Sequence, residues 1–157
     1  MEQNNKVGDC GVAAASYNGY STAGDGGTAT TGKFGISKAG HGGTAVAAYR
    51  GIATTGNYGR AIAGDKGIAT TGIGGVSEAG YKGIATAGNR GIATVGCEGV
   101  ATAGHEGIVL VRYWDDLAKR IRFAVGYVGE DGVEPNRGYC VKNGKLVLAE
   151  DEEQEED

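Results

Sequence analysis

Glycine, alanine and threonine keep to fixed columns with a period of eight residues over two-thirds of this chain. Thirteen consecutive octads begin at Gly11, Gly19, Gly27 and every eighth residue to Gly107, without an insertion or deletion. The unit reads Gly-Ile/Thr/Val-Ala-Thr-Ala-Gly-x-x, as in Gly83-Ile-Ala-Thr-Ala-Gly-Asn-Arg90. A fixed period with segregated residue types marks a stacked repeat in which each unit covers the next. Two glycines and one or two β-branched residues per octad exclude an α-helix. Collagen is excluded too, because the glycines do not fall at every third residue.

A short strand followed by a turn explains the columns. Position 3 of the octad is Ala or Ser except at Val109, and position 5 is Ala, Thr or Val throughout. Positions 2 and 4 tolerate Tyr20, Arg60, Lys38 and Glu78. With a side-chain period of two, positions 3 and 5 point into a narrow interior and 2 and 4 point out. Glycine at positions 1 and 6 allows sharp bends and close approach. Two octads per coil predict an all-β, two-sided β-solenoid (β-helix) of about six and a half coils, about 31 Å long at the usual strand spacing.

Open strand edges must be covered. Residues 1–10 are the candidate N-terminal cap, and 11–114 the solenoid. Residues 115–149 form the expected C-terminal β-hairpin cap. There Arg120 to Val125 alternates polar and apolar, placing Ile121, Phe123 and Val125 in a small core with Leu110 and Trp114. Asn143-Gly144 marks a hairpin turn. The last eight residues, 150–157, are acidic apart from Gln154 and read as a solvated tail.

Alternate octads fall on opposite sheets, which yields two outer faces. One carries Tyr20, Ile36, Ile52, Ile68, Ile84 and Val100 at position 2, beside Thr22, Lys38, Thr54, Thr70, Thr86 and Thr102 at position 4. The other is mixed. An apolar ladder on an outer wall is either a contact surface or a set of side chains shielding one another in β-structure. Along one turn edge, Tyr17, Tyr49, Tyr81 and Tyr113 recur every 32 residues, while Arg50, Lys66 and Lys82 fall 16 apart. Cations stacked about 5 Å apart repel and favour an anionic partner, unless the side chains splay into solvent. Three basic residues make a weak nucleic-acid signature.

The formal charge of −4 combines +2 over residues 1–114 with −6 over 115–157. The absence of an apolar run of about 18 residues and of a signal-peptide pattern leads to the expectation of a cytoplasmic protein without membrane contact. Cys10, Cys97 and Cys140 lack CxxC spacing and read as reduced thiols. His41 and His105 lie four coils apart, so no metal site is expected. No nucleophile has a base nearby in the pattern, so no catalytic residue, enzyme activity or cofactor is expected.

Thr22-Ala-Gly24, Thr86-Ala-Gly88 and Thr102-Ala-Gly104, with the periodic tyrosines, give residues 11–114 a rhythm that resembles the octapeptide repeats of bacterial ice-nucleation proteins. That resemblance implies 16-residue coils, lateral pairing through a tyrosine edge and ordering of water by Thr-x-Thr motifs. This chain departs from the pattern in having few coils and in replacing the first Thr by Ile, as in Ile52-Ala-Thr54 and Ile68-Ala-Thr70. It looks more like a short, stand-alone version of bacterial or phage type. The expected function is therefore a non-enzymatic binding protein that occludes a surface of another protein, a host protein or complex subunit. By analogy this includes an anti-CRISPR-like inhibitor of a host defence complex that targets nucleic acid. Ice binding and weak nucleic-acid binding through Tyr49, Arg50, Lys66, Tyr81 and Lys82 are the alternatives. A homodimer through Ile faces or caps is expected with any of them.

Overall fold

The computed structural model describes residues 3–149; residues 1–2 and the acidic run 150–157 lie outside the described residues. The chain is a two-sheet β-solenoid. Its strands are β1 (Asn4–Lys6), β2 (Val12–Ala15), β3 (Tyr20–Ala23), β4 (Thr28–Thr31), β5 (Ile36–Ala39) and β6 (Thr44–Ala47). They continue with β7 (Ile52–Thr55), β8 (Arg60–Ala63), β9 (Ile68–Thr70), β10 (Val76–Ala79), β11 (Ile84–Ala87), β12 (Ile92–Val95) and β13 (Val100–Ala103). The last four are β14 (Ile108–Asp115), β15 (Arg120–Tyr127), β16 (Gly138–Lys142) and β17 (Lys145–Leu148). Odd strands β1 to β13, then β16 and β17, make the first sheet; even strands β2 to β14, then β15, make the second. Parallel neighbours pair with an offset of 16 residues, as in Ile52↔Ile68 and Val76↔Ile92.

Seven strands per sheet belong to coils, so the array holds seven coils, half a coil more than the octad count implies. The extra strand is β1. Residues 3–10 occupy the place of a further octad: Asn4 pairs with Tyr20, and Tyr20 N donates to Gln3 O at 2.6 Å. Among the described residues this first coil has a neighbour on one side only, and its interior-type position carries Asn5, whose Nδ2 donates to Ala14 O across the coil. A polar residue there blunts the open edge.

The predicted inward columns are inward. Ala53, Ala69 and Ala85 at position 3 are wholly buried, as are Ala45, Ala61 and Ala93 on the facing sheet. Position 5 carries buried Ala, Val and Thr. Two pairs of interior hydroxyls follow one pattern, a Thr at position 5 meeting a Ser six residues later, while Ser21 donates to Ala13 O instead. Thr31 Oγ1 lies 2.9 Å from Ser37 Oγ, and Thr71 Oγ1 lies 3.0 Å from Ser77 Oγ. Ser37 and Ser77 in turn donate to the carbonyls of Val46 and Thr86. At Thr55 the residue six positions on is Ala61, and among the described residues the Thr55 hydroxyl is buried without a partner. A buried hydroxyl left unpaired costs about 1–3 kcal/mol. Thr55→Val, which keeps the shape, is therefore expected to raise the unfolding free energy by about 1 kcal/mol in urea titration, whereas Thr71→Val, which removes the hydroxyl hydrogen-bonded to Ser77 Oγ, is expected to lower it.

Every turn of the array except the one before Gly59 closes by a hydrogen bond from the position 1 N–H to the position 6 carbonyl, for example Gly51 N to Ala48 O at 2.9 Å. Position 8 is left-handed in every turn from Cys10 to Glu106, with φ between 54° and 67°. Glycine is the usual residue for that conformation, yet only Gly26, Gly42 and Gly74 supply it here. The glycine columns at positions 1 and 6 serve a different need, close approach. A Cβ on Gly96 would lie 2.8 Å from the backbone carbon of Gly80 and 2.8 Å from Tyr81 N in the preceding coil.

The C-terminal cap consists of two hairpins that extend the two sheets. β14 pairs antiparallel with β15, and β16 pairs antiparallel with both β13 and β17. Between them lie buried Val109, Val111, Val133 and Tyr139, with Leu146 and Leu148 packed against them. Tyr139 Oη accepts from Glu134 N at 2.7 Å. The core expected from Ile121, Phe123 and Val125 with Leu110 and Trp114 does not form: Trp114, Ile121, Phe123 and Val125 are 44–53% exposed. The register explains this correction. Val109 and Val111 continue the inward columns of the octad, so Leu110, Arg112 and Trp114 face outward. Antiparallel pairing then matches them with Val125, Phe123 and Ile121.

Candidate functional site

The first sheet presents the Ile/Thr face as one continuous in-register array. Tyr20, Ile36, Ile52, Ile68, Ile84 and Val100 are successive ladder partners, and Thr54, Thr70, Thr86 and Thr102 form the parallel column beside them. At a strand spacing of about 4.8 Å the isoleucines touch along the column and partly cover one another. Even so, Tyr20 is 42% exposed, and Ile52, Ile68 and Ile84 are 37–43% exposed. Ile36 and Val100 are half-buried, and the threonines are half-buried between the rows. The structure thus unites every residue predicted for this face. Its position 4 column carries two charges among the described residues, Lys38 between Thr22 and Thr54 and Lys6 of β1 beside Thr22.

The tyrosine edge is also assembled, in altered form. Its turns are tied together by backbone hydrogen bonds, Arg50 N to Asp65 O, Lys66 N to Tyr81 O and Lys82 N to Cys97 O, at 2.7–2.9 Å. Arg50, Lys66 and Lys82 therefore do stand on consecutive turns. Two of the three cations, Lys82 and Arg50, have side-chain partners on this edge. Lys82 Nζ lies 3.3 Å from Glu98 and 5.3 Å from the centre of the Tyr81 ring. The hydrogen bond to Glu98 is the main reason its ammonium titrates above the ordinary lysine range. Arg50 lies over the Phe34 ring at 5.8 Å. Phe34, at position 8, fills the gap between Tyr17 and Tyr49, making edge contacts with both at 5.6 and 5.8 Å.

Sequence reasoning missed a second device of the turns. Asp or Asn at position 7 accepts, through Oδ1, the N–H of the residue 16 further on: Asp9 from Asp25, Asp25 from His41, Asn57 from Ile73, Asp65 from Tyr81 and Asn89 from His105, at 2.8–3.0 Å. The recurrent Asp and Asn in one column was its signal. These side chains clamp coil to coil, and they place His41 and His105 on exposed turns. On that same edge Arg90 Nε bonds Glu106 at 2.7 Å, which holds the Glu106 carboxyl below the ordinary range and the arginine above it.

Among the described residues, no group of three His, Cys, Asp or Glu side chains could hold a metal ion. Cys10, Cys97 and Cys140 are unbridged. No family model, curated protein or solved structure matches the chain.

Proposed function

We propose that this chain is a non-enzymatic binding protein that occludes a flat, apolar surface of another protein with the outer face of its first sheet. The observation that carries this reading is the in-register column of partly exposed Ile52, Ile68 and Ile84 on a backbone hydrogen-bonded from both sides. Such a wall is held in its binding shape before the partner arrives, so little ordering entropy is lost on docking. Steric occlusion of a host protein or complex subunit, such as a nucleic-acid-targeting defence complex, is the inhibitory form of this activity. It rests on analogy with other small stand-alone binders.

The test is capture from bacterial lysate by immobilised protein, comparing the wild type with the Ile52→Lys/Ile68→Lys/Ile84→Lys variant. The wild type should retain a partner, and the variant should weaken that binding about 100-fold or more while keeping the β-type circular dichroism spectrum. Undiminished capture by the folded variant would reject this face.

A second reading, ice binding of the kind found in ice-nucleation-like repeats, is favoured by the column Thr54, Thr70, Thr86 and Thr102 running one coil apart beside the isoleucines. Thermal hysteresis separates the two: the same wild-type and variant pair should differ in freezing point only if water is the ligand. The tyrosine edge supports nucleic-acid binding less well, because Glu98 already neutralises Lys82 and Asp65 sits in the same row.

A further inference from the structure

A surface hairpin ordinarily turns its apolar side chains inward and its charges to water. The part of β14–β15 that projects past the interior does the reverse. On the inner side lie Arg120, Arg122 and Asp115; Arg122 Nε bonds Asp115 at 2.7 Å. Asp115 also accepts from Leu117 N and Ala118 N at 3.0 and 3.1 Å, so the turn is braced on that side. The outer side carries Trp114, Ile121, Phe123, Val125 and Tyr127, all 44–53% exposed. Arg112 is the one charge among the outward positions of the two strands.

We infer that this outer face of the β14–β15 hairpin is the interface of a two-fold homodimer, which leaves the Ile/Thr face of each copy free. Three observations favour a second copy as the occupant. The five side chains alone expose roughly 500 Å². With the half-buried Ile92, Ile108 and Leu110 beside them, the patch approaches the roughly 800 Å² per partner of a standard interface. Next, a two-fold contact needs projection and recess on one surface. Exposed Trp114 supplies the projection, and a groove of about 380 Å³ between Arg112 and Phe123 on one side and Asp65, Glu78 and Tyr81 on the other is the recess. Finally, the charges on the face do not oppose self-association. Arg60 is paired with Glu78 at 3.0 Å, and Glu78 lies on the same groove as Arg112, so two copies need not set like charges against each other. A strongly charged partner finds no matching field here, and an apolar, charge-poor centre is what obligate self-association uses.

The inference is independent of the partner-binding role given to the first sheet. It is tested by sedimentation velocity on the full chain, from low micromolar to about 100 µM. The expected wild-type mass is twice the 15.8 kDa of the chain. Trp114→Lys/Phe123→Lys should sediment as a monomer with an unchanged circular dichroism spectrum, the substituted positions being exposed. Ile84→Lys, on the opposite sheet, should remain a dimer. A monomeric wild type would assign the face to a different molecule and overturn the inference. A dimeric Trp114→Lys/Phe123→Lys, or a monomeric Ile84→Lys, would overturn it equally. Undiminished lysate capture by the Ile52→Lys/Ile68→Lys/Ile84→Lys variant, with the dimer intact, would instead count against the first-sheet reading alone.

Discussion

Gly96→Ala is expected to lower the unfolding free energy by about 3 kcal/mol or more, a fall in Tm of about 10 °C for a domain of this size. The new Cβ would sit 2.8 Å from Gly80 C and Tyr81 N, both backbone atoms of the preceding coil. No rotamer change relieves that contact; the two coils must separate. Separation lengthens the ladder bonds around it, such as Gly96 N to Ala79 O at 3.1 Å. Gly42→Ala is the control. Its φ is +65°, but a Cβ there meets nothing within 4 Å, so only conformational strain of about 1 kcal/mol is expected. Thermal or urea unfolding of the two variants separates crowding from backbone strain. Equal effects would show that turn conformation, rather than coil spacing, is what these glycines serve.

Ala69→Leu is expected to destabilise by about 3 kcal/mol, the upper part of the range for overpacking. Ala69 is fully buried and stacked in register between Ala53 and Ala85, with alanines on the facing sheet. Three extra carbons have no volume to occupy unless the sheets move apart along several coils. Ala69→Ser should be tolerated within about 1 kcal/mol, because Ser37 fills the same octad position and donates to a carbonyl nine residues on. For residue 69 that carbonyl belongs to Glu78. Chemical denaturation of both variants checks the width of the interior directly. The largest side chains that the interior holds are Val95, Val109 and Val111, with Thr31, Thr55 and Thr71 of similar size, none of them as long as Leu.

The body of the fold was legible because two strong constraints act on every octad. Small residues at positions 3 and 5 admit one inward direction, and the 16-residue offset follows from a strand and a turn per octad. The same logic placed Ile52, Ile68 and Ile84 on the outer wall. Three things escaped it. The first strand was hidden because Gln3-Asn4-Asn5-Lys6-Val7 has lost the residue types of the repeat. Gly8-Asp9-Cys10-Gly11 still matches Gly24-Asp25-Gly26-Gly27 and was the clue. The left-handed column was invisible because ten of its thirteen residues are not glycine. The coil-to-coil hydrogen bonds of those turns, such as Lys66 N to Tyr81 O, offset a conformation costing about 1–2 kcal/mol per residue. The hairpin was read with the right alternation and the wrong side. Alternation alone does not say which row faces in; that was decided by Val109 and Val111, which carry the octad phase across the end of the repeat.

The clamps at position 7 join each coil only to its immediate neighbour, so cooperativity in this protein runs along a single axis. The two ends of that axis are unequal. One is sealed by two hairpins around Tyr139 and Val133, while the other ends in β1 and in Val12, which is 71% exposed. Local opening is therefore easiest at the amino-terminal coil and propagates stepwise toward the carboxyl-terminal hairpins. Amide protons should exchange with deuterium along a gradient, fastest near Val12 and slowest around Ala85 to Val111.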